Sequence, residues 1–206
     1  MRRAFFRRAG KPGGMDGIGA AVFMATVCAM TPALCTLMAD YNRWMNERLY
    51  DAAATLPEAA LFEDRGAFFG SLFATLGHIV AADLIWLNRF VQLPAMAGLG
   101  APLSQLPAPT GLRYRLADSL PMLRERRVQT DVVICDMARR LAPADFDQVL
   151  RYGNTAGASQ AKRFGPLLQH FFNHQTHHRG QATTLLFQAG VDVGVTDLNA
   201  LIPNEV

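Results

Sequence analysis

The sequence predicts an all-α protein, most simply a four-helix bundle. Four long stretches carry apolar residues at spacings of three and four, the period of one helix face. Segments rich in Pro, Gly and Ala separate them, and strand signals are sparse, with no repeat and no low-complexity tract. With 206 residues, half of them hydrophobic, the chain is long enough for one substantial core, and a second full-sized domain would be a tight fit.

Helix 1, residues 31–55, opens at "MTPALC" with Thr31 as cap and Pro32 in the first turn, and places Leu34, Leu37, Met38, Tyr41, Trp44, Met45 and Leu49 on one stripe. "TLPEAALFEDRG" ends it. Helix 2, residues 67–91, carries Phe69, Leu72, Phe73, Leu76, Val80, Leu84 and Leu87, and stops before a loop too rich in Pro and Gly for a helix. Helix 3, residues 115–141, sets Leu116, Leu120, Leu123, Val128, Val132, Cys135 and Met137 against a face of arginines. Helix 4, residues 162–189, ends at Gly190. The short stretches 112–116 and 149–154 either pair as a ribbon or extend loops.

Residues 1–30 read differently from the rest. A basic start and an apolar stretch sketch a signal peptide or anchor, which Pro32 interrupts. Three readings stay open: an upstream extension with Met30 as the true start, an export or anchor segment, and an ordered extra element. The domain is expected over 31–206, with 1–30 outside it. Charge divides at the same place. Arg2, Arg3, Arg7, Arg8 and Lys11 supply the basic excess, leaving residues 17–206 with 15 basic and 16 acidic groups. A neutral body argues against a nucleic-acid partner. Cys28, Cys35 and Cys135 form no CxxC pair and leave an odd thiol, so a reducing cytoplasm is the simplest setting and no membrane role is expected.

Five histidines remain to be explained, three of them in "NHQTHHRGQ", 173–181. His174 and His178, four apart, emerge on one face about a turn apart and can reach a common ion. A metal site needs a third ligand from another helix. His78, the one histidine outside helix 4, lies among Ala74, Ala81 and Ala82, which leave room beside an imidazole. Spacing leaves two matters open: which of His170, His174, His177 and His178 would ligate, and whether His78 is instead a partly buried, hydrogen-bonded residue without a metal.

"LFATLGHIVAADLIWLNRF" and "HFFNHQTHHRGQATTLLFQAG", in that order and preceded by "YNRWMNERLYDAAATLP", resemble the DinB/YfiT-like family of metal-dependent enzymes. The resemblance runs from about Thr31 to the end, through "EDRGAFFGSLF" and "GVDVGVTDLNALIP". It implies a four-helix bundle and one divalent metal held by His78, His174 and His178. It also implies, as one option, chemistry on low-molecular-weight thiols, by S-transfer or thiol-dependent isomerisation, and often a homodimer. The DNA polymerase that shares the family's name has no counterpart in this small helical chain.

Three neutral imidazoles leave a coordination position for water or substrate, and all-nitrogen ligation suits zinc, nickel or iron alike. A thiol S-transferase-like or hydrolase-like reaction on a small molecule follows; a non-catalytic metal-binding sensor or interaction protein is the alternative. "HQTHH" lacks the glutamate of HExxH, so a general base must come from elsewhere. Asp83 is expected in a supporting or salt-bridge role, with Arg179 as a candidate partner, or as a solvated group. Arg43, Asn46, Trp86, Asn173 and Gln181 are candidates to line the cavity, although Trp44 and Trp86 read more simply as core. "RERR", 124–127, reads as a solvated face.

Overall fold

The computed structural model describes residues 30–154 and 156–205. The open question about the N-terminal segment falls outside these residues. Among them the chain is mostly helical, with six α-helices and one two-stranded sheet. Four helices are long: α1 (Pro32–Ala54), α3 (Leu72–Phe90), α5 (Leu120–Arg140) and α6 (Phe164–Gln188). Two are single turns or little more, α2 (Glu58–Phe62) and α4 (Gly100–Ser104). The long helices lie within the four expected stretches.

Local chemistry sets their ends. Thr31 caps α1 as expected, its hydroxyl accepting from the Leu34 amide at 3.2 Å, with Pro32 at the first position where a missing N–H costs nothing. Gly190, at φ +83°, closes α6 in the left-handed region. The second long helix starts five residues later than the expected 67. Residues 64–70 form a tight turn instead: Gly66 and Gly70 have positive φ, the Arg65 amide donates to the Gly70 carbonyl at 2.9 Å, and Ser71 caps α3. This turn carries Phe69 out of the helix and over the histidine cluster. The third starts at Leu120, with Pro121 in its first turn, so the expected helical residues 115–119 are loop.

α1 packs on α5 and α6, and α3 packs on α6 and α5, enclosing one core. The expected α3 stripe is buried in full, from Phe69 to Leu87. The α5 stripe is not. Val128 and Val132 are 51% and 62% exposed, while Arg127, Thr130 and Asp131 face inward. α1 also departs from its expected stripe: Leu34 is exposed, and Asn42 and Asn46 are buried because the inward polar groups of the two helices bond to each other.

The ribbon also differs from expectation. β1 (Val149–Gly153) pairs antiparallel with β2 (Ser159–Arg163), in the register Val149 opposite Arg163 and Gly153 opposite Ser159. Residues 112–116 take no part in it. β2 runs straight into α6, which begins at Phe164, two residues after the expected 162. No helix of the described residues is long and apolar enough to cross a membrane. Cys35 and Cys135 are free and buried.

Candidate metal centre

His78 projects from the middle of α3, and His174 and His178 from successive turns of α6 against which α3 packs. Their candidate ligand atoms all lie within 4.8 Å of one another. The Nε2 atoms of His78 and His178 are 3.2 Å apart, and those of His178 and His174 3.1 Å. Tetrahedral ligation at about 2.0–2.1 Å requires nitrogens roughly 3.3 Å apart, so these separations suit one shared ion.

The opposite edges of the rings fix which atoms face inward. His78 Nδ1 lies 2.9 Å from the Leu112 carbonyl oxygen, which can only accept, so Nδ1 carries the proton and Nε2 presents a lone pair. His178 Nδ1 donates in the same way to Gln181 Oε1 at 2.8 Å, while the Gln181 amide nitrogen donates to His177 Nε2 at 3.2 Å. Two lone pairs aimed at each other repel unless a cation lies between them. The donor set therefore fits a metal ion, and a backbone carbonyl and an amide supply the outer hydrogen bonds that metal-binding histidines usually have.

The surroundings keep the rings neutral, as ligands must be. Burial pushes His78 down to about 4, helped by the nearby charges of His178 and Arg113 and partly offset by the Leu112 bond. Burial and the neighbouring histidines push His174 down to about 3. His178 is lowered by burial, with Gln181 opposing. Phe69, delivered by the 64–70 turn, stacks on His78 with ring centroids 4.0 Å apart and presents its plane at 64° to His178. An apolar wall thus lies beside the cluster.

Of the other histidines, His170 turns to Trp86, at 5.3 Å between centroids, and His177 is exposed and bonded to Gln181. Neither joins the cluster. Asp83 is not solvated: it is buried and bound to Arg127, at 2.6 Å, and not to Arg179. Arg127 also pairs with Asp131 at 2.9 Å, which corrects the reading of 124–127 as a wholly solvated face. Asn42 and Asn46 donate to Asp131, each at 3.0 Å, and Arg179 donates to Asn42 and to Thr176. Asn46 therefore belongs to this buried network.

The remaining cavity candidates divide. Arg43 is exposed and paired with Asp40, and Asn173 is exposed. Trp44 is half-buried beneath Arg48, and Trp86 packs half-buried between Tyr152, Phe90 and His170. Gln181 alone touches the cluster, as the partner of His178. The roles of Leu112 and Phe69 are not legible in the sequence: a backbone carbonyl leaves no residue-type signal, and helical spacing places Phe69 within a helix.

Fold and cluster together define a mostly helical protein with three histidines arranged as a metal ion would need them. The chain belongs to the DinB family, whose model matches residues 29–204. It is 26% identical over 171 residues to Protein DinB of Bacillus subtilis (strain 168), an alignment covering 77% of this chain and 87% of that protein. A crystal structure of a DinB-like protein from Bacillus cereus ATCC 10987 superposes with a TM-score of 0.53 at 20% identity, over 73% of this chain and 89% of that one.

Proposed function

We propose that His78, His174 and His178 bind one divalent metal ion, and that the protein uses it to activate a thiol or water toward a small-molecule electrophile. The observation that carries this reading is the convergence of three Nε2 atoms whose two outer edges, at His78 and His178, are tied to hydrogen-bond acceptors. We read the four long helices as the four-helix bundle of the family, with α3 and α6 supplying the ligands. An ion held by three neutral imidazoles would lower the pKa of a bound water or thiol toward neutrality.

The chain's own residues supply position and environment. The Leu112 carbonyl and Gln181 hold two rings in the tautomer that offers Nε2, and Phe69 shields His78 from water. Asp83 and Asp131 are engaged by Arg127 and so are not free to act as general base.

Metal analysis of the purified protein tests the binding. About one equivalent per chain is expected for a single site, falling sharply in each of His78→Ala, His174→Ala and His178→Ala. Full metal content in all three variants would overturn the assignment. Turnover of electrophiles with a panel of common thiols by the metal-loaded protein, lost in the same variants, tests the chemistry; metal binding without turnover would leave the protein a non-catalytic metal binder.

A further inference from the structure

A cavity of about 280 Å³ lies between α3 and residues 112–117, and His78 is the only member of the histidine cluster that reaches it. Its body is apolar: Phe69, Phe73, Leu116 and Leu123 form the walls, and Gly77 faces it from the helix. Packing does not explain that glycine. A Cβ at Gly77 would meet nothing within 4 Å, while a mid-helix glycine costs about 1 kcal/mol relative to alanine. The missing side chain leaves the space open.

The surface around the mouth is unusual for a folded chain. Phe62, Phe68, Leu112 and Tyr114 are all exposed there, Phe68 to 70%. An apolar rim around an apolar cavity is the pattern of a ligand site. One cation stands at this rim without an acidic partner among the described residues. Arg113 donates to the Phe68 carbonyl at 3.2 Å and lies over the rings of Phe68 and Phe69. The acids nearby are already occupied: Glu63 with Arg65, Asp118 with Arg115, and Asp64 with the Gly66 amide.

From this arrangement we infer that the cavity binds a small amphipathic anion, its apolar body between α3 and residues 112–117 and its charged group on Arg113. The inference goes beyond the metal reading and does not depend on it. Its volume, at the lower end for small-molecule sites, suits a short-chain or single-ring acid. A ligand there would press on the segment whose Leu112 carbonyl orients His78, which places the anion site and the histidine cluster in contact through one hydrogen bond.

Calorimetric titration of the full chain with octanoate, octan-1-ol and octylamine tests it. Octanoate should bind with submillimolar affinity, octanol at least tenfold more weakly, and octylamine more weakly still. Arg113→Gln should bring octanoate down to the affinity of octanol and leave octanol unchanged. Gly77→Leu should fill the cavity and abolish both, with thermal stability at least equal to that of the wild type, because leucine favours the helix. His174→Ala should keep octanoate binding, which separates this inference from the metal assignment. No binding of octanoate at millimolar concentration, equal affinity for octanoate and octanol, or octanoate binding unchanged in Arg113→Gln or in Gly77→Leu would each overturn it.

Discussion

Gln181 does for His178 what the Leu112 carbonyl does for His78, but only Gln181 can be changed by mutation without moving the chain. Gln181→Ala should lower metal affinity about 10- to 100-fold, the usual cost of losing an outer-sphere partner, as read by competition with a chromophoric chelator. An unchanged affinity would remove Gln181 from the site. The same imidazoles make the metal-free protein sensitive to acid. His78 and His174 titrate at about 4 and about 3 in the folded chain, below the ordinary histidine value near 6.5, so the unfolded chain takes up protons first as the pH falls. Stability is therefore complete above about pH 6.5 and declines as the pH drops through about 4. The Tm of metal-free protein across that window should fall, and fall less in His78→Phe; identical profiles would contradict the attribution. At this scale the sequence was most informative where chemistry rests on residue type. Residue type and spacing mark the histidines as candidates, and only the family resemblance singles out His78, His174 and His178 among them, whereas Leu112 acts through its backbone and Phe69 through a turn built by Gly66 and Gly70.

Along the elements, the largest departure from the helical pattern lies on α5. A stripe of apolar residues at helical spacing ordinarily marks the inward face, yet Val128 and Val132 point outward and Arg127 and Asp131 point in. The reason is pairwise and spans helices: Arg127 binds Asp83 on α3 and Asp131 on its own helix, while Asp131 receives Asn42 and Asn46 from α1. A periodicity reading scores one helix at a time and has no means of seeing four helices satisfy one another. The long helices themselves were legible because each has enough apolar positions to outvote such exceptions, and the Thr31 cap was legible because capping is local. Arg127→Met should cost about 3–5 kcal/mol, since it leaves two buried carboxylates without their cation, as measured by urea denaturation. Adding Asp83→Asn and Asp131→Asn should recover a large part of that loss. A stability in Arg127→Met within about 1 kcal/mol of wild type would show the pair to be energetically idle, as surface pairs often are.

At the scale of the whole molecule, the charge partition and the start of α1 bear on the same experiment. The basic excess of the chain resides in residues 1–16, while residues 17–206 are one charge short of neutral on the acidic side. Met30 is buried against the core, and Thr31 closes the first turn of α1 with its own hydroxyl, so the described helix carries its own N-terminal cap. A chain beginning at Met30 should therefore be folded, helical and able to bind metal in the same amount as the full chain. Loss of folding on that truncation would mean that the preceding apolar segment packs into the core. The same shortened protein decides the question of nucleic acid. Affinity for a duplex or single strand comes mainly from releasing counterions with clustered Lys and Arg, and weakens steeply with salt. Several arginines of the body are already paired with acids, among them Arg43, Arg65, Arg115, Arg124, Arg140 and Arg163. The expected result is no binding of the Met30-start protein to duplex or single-stranded oligonucleotides at physiological salt, with any affinity of the full chain confined to low salt. Submicromolar, sequence-dependent binding by the shortened protein would require a basic surface that the charge balance of the body argues against.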